Sequence, residues 1–140
     1  MKKYAKQKAI HGSAMIEFAL VLPMLLMLVF GIIEFSIALY DKAVMTNASR
    51  EAARAGAIFR TPALTNEQII TVATDACGNN LVSFANSSPQ VTISKPGGAT
   101  AGNPITVTIT YEYTGLLLGE LISPLTGTAN ISASTTMLIE

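Results

Sequence analysis

Few residues in this chain of 140 are of a type and spacing that could do chemistry. The only histidine is His11 and the only cysteine is Cys77. Neither has a second histidine or cysteine beside it, so the chain offers no Cys/His nucleophile pair and no metal-ligand spacing. No glycine-rich phosphate loop is present either. Glu67 with Asp75, or Glu112 with Glu120, could in principle pair as carboxylates for acid–base work, but solvated helix and loop charges account for them better. A single thiol makes no intramolecular disulfide; Cys77 reads as a small buried apolar side chain on a helix, with an intermolecular bond in an oxidising compartment as the alternative. No enzyme activity, cofactor, metal or small-molecule substrate is therefore expected. The spacing that stands out is Gly12 with Glu17, a carboxylate placed just inside a long apolar run.

That run is the element that must position them. Residues 14–40 are almost continuously apolar, interrupted by Glu17 and Glu34, and residues 18–33 hold no charge. As a helix, residues 14–40 extend about 40 Å, enough to cross a hydrocarbon core of about 30 Å. Both glutamates then fall near the ends, where an ionised group costs much less than the roughly 3 kcal/mol of burial at mid-bilayer. Lys2, Lys3, Lys6 and Lys8 precede the run and only Lys42 lies just after it, which puts the N-terminus in the cytoplasm and the bulk of the chain across the membrane. Pro23 removes one backbone hydrogen bond and is expected to kink the helix. A cleaved secretory signal is the rival, with Ser36-Ile37-Ala38 as a small-x-small site, but such signals have apolar cores of about 7–15 residues.

The net charge is zero but unevenly spread. From Ser13 onward Lys42, Arg50, Arg54, Arg60 and Lys95 stand against nine acidic residues, so no basic nucleic-acid face is expected. Residues 61–140 are rich in Thr and Ser with Lys95 as their only Lys or Arg. They read as a compact extracytoplasmic domain, small enough for its own core to be marginal.

His11-Gly12 followed by Ser13-Ala14-Met15-Ile16-Glu17-Phe18 resembles a class III prepilin signal: a basic leader, glycine at the cut, glutamate five residues on, then a long apolar helix. The resemblance implies that a prepilin peptidase cuts between Gly12 and Ser13. Glycine leaves an extended, unhindered bond ahead of the helix. Cleavage creates an α-amine at Ser13, which Glu17 can neutralise in its own chain or a neighbouring one; pairing an otherwise costly carboxylate favours lateral assembly. The bland alternative is that Glu17 only snorkels to the interface. Ile16-Glu17-Phe18-Ala19-Leu20-Val21-Leu22-Pro23, Gly31-Ile32-Ile33-Glu34-Phe35 and Asn47-Ala48-Ser49-Arg50-Glu51-Ala52-Ala53-Arg54 are similar to the N-terminal region of TadE-like pseudopilins of the tight-adherence (Tad/Flp) pilus system. That likeness covers residues 12–57. The major Flp pilin has the same leader but is much shorter beyond its helix, so the extra domain points to a minor component.

Past the membrane, residues 41–60 keep a helical pattern. Val44, Ala48, Ala52 (or Glu51), Ala55 and Ile58 form an apolar stripe, with Asn47, Arg50 and Arg54 on another face and Glu51 within reach of Arg54. Alanines allow close approach of another helix, so Asn47, Arg50, Glu51 and Arg54 are candidates for packing against partner pilins. The alternative use of the stripe is to cover the protein's own sheet. After a break at Pro62, Thr65 is a plausible N-cap for a second helix carrying Glu67, Ile69, Ile70, Val72, Ala73 and Ala76, stopped by Gly78-Asn79-Asn80. Alternation predicts strands at residues 90–95, 105–113 and 128–139. The short apolar segment Leu116-Leu117-Leu118-Gly119-Glu120-Leu121-Ile122-Ser123-Pro124-Leu125 reads as a local cover for the sheet or a contact surface.

The expected fold class is α+β: a long transmembrane helix continuing outward, a short second helix, and an antiparallel sheet of three strands. The expected organisation is a basic cytoplasmic leader at 1–12, a transmembrane helix at 13–40, its extension at 41–60, and an extracytoplasmic domain at 61–140. The resemblance implies a minor pseudopilin at the inner membrane, processed after Gly12, acting in pilus assembly and adhesion. Its partners would be the membrane, other pilins or pseudopilins, the prepilin peptidase and the inner-membrane assembly platform. The alternative is an uncleaved, single-pass anchored domain that binds an envelope ligand.

Overall fold

The computed structural model describes residues 5–58, 60–82, 87–115 and 129–140, with residues 5–11 and Asn79 as backbone only. Lys2, Lys3 and the apolar segment from Leu116 to Leu125 lie outside the described residues. One helix dominates. α1 (Ala5–Ala57) is 53 residues long and holds Pro23 without ending there; at 1.5 Å per residue it extends about 80 Å. It is followed by α2 (Asn66–Cys77), a 3-10 turn at Gly78–Asn80, and strands β1 (Gln90–Ser94), β2 (Pro104–Tyr113) and β3 (Ala129–Leu138). The architecture is α+β, as the sequence predicts.

Local chemistry sets the ends of α2. The Thr65 hydroxyl accepts from the Gln68 N–H at 3.3 Å, and the Gln68 side chain accepts from the Thr65 N–H at 3.0 Å, a complete capping box. At the other end Gly78 adopts φ 48°, a region that favours glycine, and its N–H bonds the Thr74 carbonyl.

The sheet has the order β1-β2-β3 and is antiparallel throughout. Strict alternation makes β2 its centre: Ile105, Val107, Ile109, Tyr111 and Tyr113 are buried. Their threonine neighbours face outward, where Thr106 bonds Thr136 at 2.8 Å and Thr108 bonds Ser134 at 3.0 Å across the strands. Both helices cover the inner face. The core joins Met45, Ala48, Ala52, Ala53 and Ala57 of α1, Ile69, Ala73 and Cys77 of α2, and the inward residues of β2 and β3. The outer half of α1 is therefore one wall of the domain's core.

The buried stripe of α1 differs from the expected one. It runs Asp41, Met45, Ala48 with Ser49, Ala52 with Ala53, then Ala57, while Val44 and Ala55 are half-buried and Ile58 is exposed. Small residues line it because β2 and α2 approach closely: a Cβ added at Gly56 would lie 2.5 Å from Ile105 Cδ1 and 2.9 Å from Ile69 Cδ1.

β3 climbs along α1. Lys42 Nζ donates to the Ser132 carbonyl. Two turns further out, Ser49 and Thr135 hydroxyls meet at 2.7 Å, and at the far end the Glu140 N–H bonds the Ala57 carbonyl at 3.0 Å. β2 runs the opposite way and delivers Tyr113 to Glu34, whose backbone carbonyl accepts from the Tyr113 hydroxyl at 3.3 Å.

Candidate functional site

The inner half of α1 has no packing partner among the described residues. Met15, Ile16, Phe18, Leu20, Met24, Leu28 and Ile32 are all exposed. This helix is long and apolar enough to cross a membrane, with a mean hydropathy of 2.6 over its most apolar stretch and none of that stretch buried. Exposed apolar side chains on this scale cost too much in water and are at home in lipid.

Gly12, Ser13, Glu17 and Phe18 lie together at the inner end, all exposed. The structure departs from the sequence reading in one respect here. α1 begins at Ala5, so the Gly12–Ser13 peptide is helical and not an extended bond ahead of the helix. Gly12 stands in open space: a Cβ there would meet nothing within 4 Å.

On the outer half of α1, Asn47, Arg50, Glu51 and Arg54 are all exposed and face away from the core. They form a contiguous polar surface along the helix. Arg54 also borders a shallow cleft with Ala57, Ile58, Met137, Leu138 and Glu140.

Where the helix leaves its apolar half, Asp41 and Tyr113 lie near one another, and a buried Ser49 follows two turns further out; the sequence reading gave none of them a functional role. Asp41 is fully buried; its Oδ1 accepts from the Val82 N–H at 2.8 Å, and its Oδ2 has no partner among the described residues. Burial pushes the Asp41 carboxyl above its ordinary range, partly opposed by the Val82 bond. Tyr113 is raised too, first by burial and then by the Glu34 and Asp41 carboxylates. Ser49, also buried, donates to the Thr46 carbonyl at 2.9 Å and ties α1 to β3. A polar residue at helical spacing within an alanine stripe is the sequence signal for Asp41 and Ser49, and the alternation of β2 marks Tyr113 as inward-facing.

Cys77 is buried at the end of α2, and burial raises its thiol above the usual value. Among the described residues no three acidic, histidine or cysteine side chains gather to hold a metal ion.

Residues 12–54 match the family described as TadE-like protein. The match starts at Gly12, takes in Glu17, and ends at Arg54, so it covers the apolar half of α1 and most of its outer half. The candidate membrane span lies on the same matched helix. No curated protein and no solved structure matches the chain.

Proposed function

We propose that this protein is a minor pseudopilin of a Tad/Flp-type pilus, processed by a prepilin peptidase after Gly12 and acting in pilus assembly and surface adhesion. The observation that carries the reading is the TadE-like match over residues 12–54, which begins at the proposed cut and continues through Glu17 and the exposed Asn47, Arg50, Glu51 and Arg54. The lysines before the span favour a cytoplasmic N-terminus and a periplasmic outer domain at the inner membrane.

In this reading the peptidase unwinds the first turns of α1 to reach the Gly12–Ser13 bond, a small cost at the exposed end of a helix. The new Ser13 amine lies one turn from Glu17, and their pairing, within one chain or between neighbours, lowers the cost of a carboxylate at the edge of the hydrocarbon. The outer half of α1 has two jobs on two faces: it walls the domain's core and offers Asn47, Arg50, Glu51 and Arg54 to neighbouring pilins and the assembly platform.

Intact-mass measurement from cells carrying the peptidase tests the cut. Ser13 as first residue is the expected outcome; a working protein that begins at Met1 rejects the pseudopilin reading and leaves an anchored domain. Because Gly12 stands in open space, a Gly12→Leu chain folds as before, so its loss of processing reports on the peptidase alone.

A further inference from the structure

Two faces of α1 give different answers to where the bilayer ends. On one face, exposed apolar side chains continue past the uncharged stretch through Phe35 at 66%, Leu39 at 55% and Tyr40 at 50% exposure. The same face then becomes exposed Ala43, Asn47, Arg50 and Arg54, so lipid gives way to water near Tyr40. On the opposite face the protein's own domain begins at Glu34, where the Tyr113 hydroxyl bonds the helix backbone. Ile37 and Ala38 are half-buried beside it and Asp41 is fully buried. Folded protein occupies that side from Glu34 upward.

The lengths reconcile the two. Residues 13–33 extend about 31 Å, the thickness of a hydrocarbon core, and residues 34–40 add about 10 Å. The offset from Glu34 to Tyr40 is about 9 Å along the axis, close to one headgroup layer plus the ~3 Å that an ordinary tilt of about 20° adds across a helix.

We infer that the inner edge of the outer domain is seated in the lipid headgroup layer, with hydrocarbon ending at Glu34 and water beginning beyond Tyr40. The inference rests on the reading of α1 as a membrane span. The sheet brings a specific surface to that depth. Ser132 is at the height of Lys42, and β3 descends from there to Asn130, which pairs with Glu112 next to Tyr113. Ser87, Ser88, Gln90, Thr110, Glu112 and Asn130 line an open polar basin of about 480 Å³ at this edge, and the Ser87 hydroxyl donates to the Glu112 carbonyl at 2.8 Å. Its only charge is the Glu112 carboxylate. A surface of hydroxyls, amides and one carboxylate belongs in the hydrated headgroup layer and not in hydrocarbon.

Depth-dependent fluorescence quenching of the full chain in vesicles tests this. Single cysteines at Ser88 on the inner edge, Thr100 at the far end and Leu26 at mid-span are labelled under native conditions, where buried Cys77 stays unreactive. In phosphatidylethanolamine-rich vesicles the Ser88 label is expected to be quenched several-fold more than the Thr100 label by a headgroup-borne nitroxide, and the Leu26 label by a mid-chain one. A quenched Leu26 label with Ser88 no different from Thr100 overturns the headgroup seating while leaving the span intact. An unquenched Leu26 label overturns the span and the seating together.

Discussion

Asp41 is the residue with the least comfortable position in the molecule: fully buried, with one carboxylate oxygen satisfied by Val82 and the other without a partner among the described residues. Burial disfavours its charge, so its folded-state pKa lies above the unfolded one. The linkage has a definite sign. A raised carboxyl contributes stability that is fully present below the ordinary aspartate pKa of about 3.9 and is lost as pH rises through the folded-state value. Asp41→Asn keeps an acceptor for the Val82 N–H and removes the charge. It is expected to melt higher than the parent in detergent at pH 7, with the gap closing below pH 4. A gap that is unchanged between those pH values contradicts the assignment. If the protein is the proposed pseudopilin, Glu17→Ala is expected to be cleaved normally yet to give little pilus, scored by N-terminal sequencing and by electron microscopy of the same cells.

At the scale of elements, the ends of α2 and the strands are plainly written in the sequence, and the start and buried face of α1 are not. Thr65 caps α2 as its type and place suggest, and Thr65→Ala is expected to cost about 1 kcal/mol in denaturant melts. β2 alternates without error because a half-buried central strand leaves each side chain only two environments. On α1, alanines occupy every side, so several stripes of equal apolarity can be drawn. The true one is interrupted by Asp41 and Ser49, and the predicted stripe through Val44 and Ile58 avoids them. Contacts between distant segments, such as Tyr113 with Glu34, leave no local pattern to read. Gly56 marks the tightest of these meetings. Gly56→Val adds two methyl groups and a branched carbon between Ile105 and Ile69, with an expected loss of about 1–3 kcal/mol, measurable as a lowered melting temperature.

Across the whole molecule, the polar face of α1 is exposed among the described residues, and in the proposed pseudopilin it meets partner pilins. Reversing Arg50 and Arg54 to glutamate touches no core contact, so stability is expected to change by less than about 0.5 kcal/mol, while co-purification with other pilins falls. Unchanged co-purification removes the role given to these residues. The same helix has a mechanical consequence. β3 is fastened to α1 near Lys42, at Ser49 and at Ala57, and the helix is continuous from there into the apolar half. A lean of the helix by about 10° at the membrane carries the far turn, about 36 Å above Glu34, sideways by ~6 Å. A sideways pull on the outer domain is correspondingly levered into the anchor.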